Sequence, residues 1–133
     1  MAAVDEPVLP RWRVFWMVVG VINLAIIMYL ALVPLKQVLP PIDWSDKALH
    51  FVVFAGLMVW FAALVKPAAY GWVLVALLVY GGAMEVMQSI MPFRQAEFAD
   101  FVADFAGLLV GWGVCRLGLA RWPHWVEGLF RRA

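Results

Sequence analysis

Ionisable side chains interrupt three long apolar segments of this chain. They recur at helical spacings within each segment, which places each set on one helical face. A charge inside a membrane is costly, so an ionisable group at that depth indicates a functional site by default. The ionisable residues are Asp46, Lys47 and His50 in the first set, Glu85 in the second, and Asp100 and Asp104 in the third; Gln88 is a neutral polar neighbour of Glu85 at i+3.

These residue types suit proton transfer or cation binding. His50 can exchange protons near neutral pH. Together with two or more of the neighbouring carboxylates, its imidazole could also hold a hard divalent cation as a cofactor. In an enzyme, Glu85 or His50 would be the general base and Asp104 would orient it. These three residues are therefore the candidate catalytic residues.

Other polar residues are candidates for binding a ligand. Lys47 and Arg94 could hold a lipid phosphate at the level of the headgroups. The full ligand-binding set is Asp46, Lys47, Gln88, Arg94 and Asp100. A structural alternative is a buried hydrogen-bonded network that only fixes helix register. The H-E-x-x-H, G-x-S-x-G and Walker lysine motifs are missing, so the sequence leaves open whether the chain is an enzyme.

The composition indicates a membrane protein. Hydrophobic residues make up 66% of the 133 residues, and the mean hydropathy is +0.90. A soluble domain is only about half apolar. The net charge of +1 provides no basic surface for nucleic acid. Cys115 is the single cysteine, which excludes an intrachain disulfide.

Four segments are predicted to span the bilayer, at about 14–33, 46–65, 69–91 and 99–120. Proline follows the first three, at Pro34, Pro67 and Pro92. Short loops place each helix antiparallel to its predecessor, which predicts an all-α four-helix bundle in one domain, residues 1–133. The first span is expected to be a retained anchor and not a signal peptide. The tail, residues 121–133, is expected to form a short helix in the membrane interface.

Basic residues favour one orientation of these spans. Seven of the ten Lys and Arg residues fall on the side of the two termini and the 66–68 loop, which predicts both termini in the cytoplasm. His50, Glu85 and Asp104 then lie roughly 6–9 Å below the outer interface, on three antiparallel helices. One outward-facing polar site is expected there. A tryptophan belt is expected at the inner interface, formed by Trp12, Trp16, Trp60, Trp72, Trp122 and Trp125.

Glycines continue the face of the fourth span that carries the aspartates. Gly107 and Gly111 form a small-xxx-small pattern, which is expected to draw another helix close to Asp100 and Asp104. Gly81 and Gly82 could have the same role on the third span.

An ordered set of motifs across residues 43–113 resembles the VanZ-like family of bacterial integral membrane proteins. The motifs are Asp46-Lys47-x-x-His50-Phe51-x-x-Phe54-x-x-Leu57, Glu85-x-x-Gln88, Arg94, and Asp100-x-x-x-Asp104-x-x-Gly107-x-x-x-Gly111. The resemblance implies a protein of the bacterial inner membrane that acts in the cell envelope. The founding member of that family is associated with low-level resistance to the glycopeptide teicoplanin. The resemblance does not specify a molecular activity.

Three functional hypotheses follow. The first is an envelope-associated membrane protein whose outward-facing site engages a lipid-linked or cell-wall-derived ligand, with membrane lipid as its surroundings. The second is a non-catalytic accessory or binding module. The third is a proton- or ion-coupled transporter, which four short spans and apolar inner halves of the helices disfavour. The oligomeric state is left open.

Overall fold

The computed structural model describes residues 9–34, 46–93 and 96–133. These residues form α-helices joined by turns, and the described part of the chain contains no strand. The helices are α1 (Arg13–Leu32), α2 (Asp46–Ala62), α3 (Tyr70–Ser89), α4 (Phe98–Arg116) and α5 (Trp122–Arg132), with 3-10 turns at Pro67–Ala69 and Leu119–Arg121. The predicted all-α class is confirmed.

Three of the helical segments are long and apolar enough to cross a membrane. They are Arg13–Leu32, Pro67–Ser89 and Phe98–Arg116. The apolar stretch of α2, Lys47–Ala62, is shorter. Large apolar side chains are exposed along these helices, for example Val18, Ile22 and Ile26 on α1. A water-soluble protein rarely exposes such a continuous apolar surface, whereas lipid tails would solvate it.

Two helix ends differ from the predicted boundaries. The second predicted span was extended to residue 65, but α2 ends at Ala62. Pro67 disfavours the helical conformation at the residue before it, and Lys66 is extended accordingly. The N–H groups of Leu64 and Val65 therefore make shorter-range bonds, to the carbonyl oxygens of Phe61 and Ala62.

The fourth helix is also shorter than predicted, ending at Arg116 and not near residue 120. Gly118 has φ of +113°, a conformation that side chains with a Cβ rarely adopt, and it ends the helix. Its N–H bonds back to the carbonyl of Cys115 at 3.1 Å. The chain then turns through Leu119–Arg121 into α5. The short helix predicted for residues 121–133 is therefore present.

Helices α2 and α4 form the tightest pair in the bundle. A Cβ at Gly107 would collide with the carbonyl oxygen of Phe51, and one at Gly111 would lie 2.7 Å from Cβ of Met58. Neither position has space for a side chain, so the two backbones approach closely along two turns. The predicted glycine seam is confirmed. Around it lies the apolar core, which includes Phe54, Met58, Leu77, Met84 and Leu108.

Helix α1 is attached to α3 through two of its backbone carbonyls. The Tyr80 hydroxyl donates to the carbonyl of Leu24 at 2.6 Å, and the Gln88 amide donates to the carbonyl of Ala31 at 3.0 Å. Ala31 lies in the last turn of α1, where carbonyl groups have no partner within the helix. Gln88 therefore satisfies a group that would otherwise be unpaired in an apolar environment.

Tryptophans cluster where α1 and α5 begin and α2 ends. The rings of Trp16, Trp60 and Trp122 lie 4.6–6.0 Å apart between their centroids. Their indole N–H groups all donate hydrogen bonds, Trp60 to the carbonyl of Trp16 and Trp122 to that of Val59. Tryptophans that pair an apolar ring with a satisfied N–H are typical of membrane interfaces.

Candidate functional site

The centre of the polar cluster is a hydrogen bond between two helices. Nδ1 of His50, one turn into α2, lies 2.7 Å from Oδ1 of Asp104 on α4. Asp104 is fully buried. An ionised carboxylate only accepts hydrogen bonds, so an ionised Asp104 fixes the proton of a neutral His50 on Nδ1. Nε2 then carries the free lone pair of the imidazole.

The free nitrogen of His50 faces further carboxylates. Nε2 lies 3.9 Å from Oδ2 of Asp100, one turn before Asp104 on α4. Glu85 approaches from α3. One ligand atom each from His50, Glu85 and Asp100 lie within 4.8 Å of one another. The structure thus brings together the predicted catalytic set with Asp100, from three helices.

Several of these carboxylate oxygens have no hydrogen-bond partner among the described residues. They are both oxygens of Glu85, Oδ1 of Asp100 and Oδ2 of Asp104. Leaving a charged oxygen buried and unpaired costs on the order of several kcal/mol. The cluster therefore requires protons or a cation, since three adjacent carboxylates cannot all remain charged at such a site without compensation.

Small residues make room for the cluster. Gly81 on α3 faces Asp104, and a Cβ there would lie 2.8 Å from Oδ2 of that residue. The same hypothetical Cβ would lie 3.1 Å from the ring of Phe54. Only the absence of a side chain at Gly81 therefore lets the carboxylate fit between α3 and α4. Gly82 makes only an ordinary contact, with the ring of Phe101, so the role suggested for the glycine pair belongs to Gly81.

Two of the other predicted ligand-binding residues, Lys47 and Gln88, make contacts outside this cluster. Lys47 pairs with Glu97 at 2.8 Å, in an exposed salt bridge that joins the start of α2 to the residue before α4. Gln88 is buried but bonds to α1, so it connects helices and does not face His50. Asp46 begins α2, but its side chain lies outside the described residues, as does Arg94.

A second buried carboxylate was missed by the sequence reasoning. Glu127 on α5 accepts hydrogen bonds from the backbone N–H groups of Arg11 and Trp12 and from the indole of Trp16, at 3.0–3.2 Å. It thereby caps the start of α1 with a negative charge. Desolvation by burial raises the pKa of this carboxyl, but the three hydrogen bonds and nearby His124 lower it below its ordinary value.

The sequence marks Glu127 only by its place in the tail helix. Glu127 is the one acidic residue in a tail that otherwise carries arginines, and it lies on the helical face opposite exposed Trp125 and Leu129. Its partners are backbone groups more than a hundred residues away. The pattern of side chains along a sequence does not predict contacts with backbone N–H groups so far away.

Comparisons with known proteins found no matching family model, no matching curated protein and no matching solved structure. The resemblance to the VanZ-like family therefore rests on the motifs quoted above. The geometry of the site is what indicates its chemistry.

That geometry suits a proton donor or a cation. Nε2 of His50 can accept a proton, and the carboxylates of Glu85 and Asp100 can bind a positive charge. An anion would be repelled by three neighbouring carboxylates. A phosphate headgroup would instead suit the rim, where Lys47 is exposed about one turn above His50.

Proposed function

We propose that the chain is a four-span protein of the bacterial inner membrane, with a polar site that opens toward the outer face and engages a lipid-linked or cell-wall-derived ligand. The observation that supports this most directly is the His50–Asp104 pair, with unpaired oxygens of Glu85 and Asp100 beside it, inside an otherwise apolar bundle. A scaffold alone would gain more stability from apolar packing at these positions.

The second helix is the shortest proposed span. Its 17 residues extend about 26 Å, which is near the lower limit for crossing the hydrocarbon core. Its packing against α4 through the glycine seam places it alongside a helix long enough to cross. Four spans put both termini on one side, which fits the contact between Glu127 and the start of α1. The basic residues favour the cytoplasm for that side.

The depth of the site is supported by the salt bridge above it. Lys47 and Glu97 are both exposed, and each lies three residues before a cluster member, His50 and Asp100 respectively. Three residues correspond to about 4.5 Å along a helix. A charged pair at the headgroup level would thus place the cluster just beneath the membrane surface, within reach of a ligand in the outer leaflet.

The opposite end of the bundle favours a one-ended site over a transport path. The core between the cluster and the tryptophans is lined by apolar side chains such as Met58 and Leu108, both fully buried. Trp16, Trp60 and Trp122 then close the inner end. Among the described residues no acidic, basic or histidine side chain lies between Asp104 and this end, whereas an ion or proton pathway would need such groups.

Within the site, His50 would be the proton acceptor and Asp104 its positioning partner. This assigns the general-base role to His50 over Glu85, because Asp104 contacts the imidazole and not Glu85. A non-catalytic version uses the same groups to bind a hydroxyl or amine of the ligand. Both versions depend on the lone pair on Nε2 of His50.

The two histidines provide a matched test. The wild-type chain, His50→Gln and His124→Gln are expressed at equal membrane levels in a teicoplanin-susceptible bacterium, and the minimal inhibitory concentration of teicoplanin is measured. We expect the wild type and His124→Gln to raise it and His50→Gln to leave it at the vector value. No increase with the wild type would contradict the envelope function. Full activity of His50→Gln would contradict the proposed site.

A further inference from the structure

We propose that His50, Glu85 and Asp100 bind a divalent transition-metal ion such as Zn²⁺ or Mn²⁺, with Asp104 as the residue that orients the histidine ligand. The proposal concerns the same cluster as the proposed function and rests on it for the site's role. With the ion bound, Nε2 of His50 is a metal ligand, so the ion and not a free imidazole would act on the envelope ligand. Metal binding itself can be measured without any envelope ligand.

The donor set of this cluster suits a transition-metal ion. One nitrogen and two carboxylate oxygens, all within 4.8 Å of one another, come from three different helices. Imidazole suits zinc and iron, and carboxylates suit manganese and magnesium, so the mixed set favours a transition metal. Three protein ligands also leave a coordination position open, as in catalytic zinc sites.

The imidazole of His50 is oriented as in a metal ligand. Metal-binding histidines nearly always donate their other ring N–H to a carboxylate or carbonyl, which fixes the ring and the tautomer. Asp104 has this position, 2.7 Å from Nδ1. The remaining nitrogen, Nε2, points toward Asp100 at 3.9 Å. A structural salt bridge would not require the second carboxylate on that side of the ring.

The unpaired carboxylate oxygens also indicate a bound cation. Asp100 is only 7% exposed, yet its Oδ1 has no hydrogen-bond partner in the described structure, and neither oxygen of Glu85 has one. Buried polar groups are normally paired, so these oxygens indicate a missing partner. An ion of charge +2 would balance the two ligating carboxylates and leave Asp104 bonded to the imidazole.

The required geometry is close to the one observed. Ligand atoms at 2.0–2.2 Å from a common ion lie about 3–4 Å apart. The set therefore has to contract by up to about 1–2 Å from its 4.8 Å spread. Glu85 can supply this movement because its carboxylate is attached to a longer, flexible side chain that is only partly buried. The bound ion would give the site an electrophile for an anionic oxygen of the ligand.

The test uses the purified full-length protein in detergent, stripped with chelator and titrated with Co²⁺, whose visible absorption reports coordination. Zn²⁺, Mn²⁺, Mg²⁺ and Ca²⁺ are then used as competitors. We expect one Co²⁺ per chain, displaced by Zn²⁺ and not by Ca²⁺. Glu85→Gln and Asp100→Asn should each weaken binding at least about tenfold, and Asp104→Asn about 10–100-fold. Glu97→Gln, which removes an exposed carboxylate at the same end of the bundle, should bind like the wild type.

Two results would overturn the proposal. One is the absence of saturable Co²⁺, Zn²⁺ or Mn²⁺ binding to the wild type up to about 1 mM. The other is wild-type affinity in both Glu85→Gln and Asp100→Asn, which would place the ion elsewhere. The titration of the wild-type protein tests the metal site even if a variant fails to fold. A wild type that confers resistance but binds no metal would refute the metal site alone, and one that binds metal without a phenotype would refute the proposed function alone.

Discussion

Gly107 lies against the backbone carbonyl of Phe51, and this contact holds the polar cluster together. Phe51 follows His50 on α2, and Gly107 lies one turn after Asp104 on α4. The close approach of the two helices at the glycine therefore sets the 2.7 Å distance between the imidazole and the carboxylate one turn away. The contact of Gly107 with Phe51 thus affects both the packing of α2 against α4 and the distance between His50 and Asp104.

Gly107→Ala should therefore lower stability and disturb the cluster. The added Cβ meets backbone and not a flexible side chain, so α2 and α4 must separate, at a cost of about 1–3 kcal/mol. Gly113→Ala is the matched control, because a Cβ there meets nothing within 4 Å. Thermal unfolding in detergent measures both. Equal melting temperatures for the two variants would show that the seam is not tightly packed.

The orientation of the bundle can be tested with single cysteines. In a Cys115→Ala background, Glu97→Cys should react with a membrane-impermeant maleimide in intact cells, since Glu97 is exposed at the proposed outer end. Arg132→Cys, exposed at the other end, should react only after the membrane is permeabilised. The reverse pattern would place both termini outside and the polar site inside.

The convergence of His50, Glu85 and Asp104 could be predicted because it depends only on helix rise and connectivity. Three apolar helices with short loops must run antiparallel, so residues at equal depth become neighbours. The glycine seam was predictable for a similar reason: Gly107 and Gly111 share a face with Asp104. Both features follow from the regular rise and the repeat of about 3.6 residues of an α-helix, which can be read from residue spacing.

The contacts that sequence did not predict depend on how each helix is rotated. Gln88 lies three residues from Glu85 and shares its general face, yet α3 packs between α1 and α4, so Gln88 contacts α1. Helix spacing alone cannot distinguish these two neighbours. Glu127 was missed because its partners are backbone N–H groups at the start of α1, which no side-chain pattern marks.

The contact of Glu127 predicts a pH-dependent stability. The pKa of this carboxyl is lowered below its ordinary value near 4.5, because its hydrogen bonds and His124 outweigh desolvation. A lowered folded-state pKa means that the stabilisation is complete above the ordinary pKa and is lost as the pH falls through the lower one. The attachment of α5 to α1 should therefore weaken only in acid.

Glu127→Gln provides the measurement. The variant should melt at a lower temperature than the wild type near neutral pH, and the difference should shrink as the pH falls below about 4.5. Indole fluorescence of the Trp16, Trp60 and Trp122 cluster follows the same transition. The exposed Glu97→Gln serves as control. A difference in melting temperature that stays constant with pH would mean that the charge of Glu127 contributes nothing.

The last prediction separates a functional cluster from a scaffold. Glu85→Gln and Asp104→Asn keep size and hydrogen-bonding capacity but remove charge. Both should abolish the envelope phenotype while leaving the melting temperature unchanged or raised, because each carboxylate buries at least one oxygen that has no hydrogen-bond partner. In Asp104→Asn the amide can donate to Nδ1, which moves the imidazole proton to Nε2 and removes its lone pair. Nitrogen NMR of labelled histidine can detect this change, and His124→Gln leaves His50 as the only histidine signal. If both isosteric variants retain full activity at equal membrane levels, the charged cluster is a scaffold.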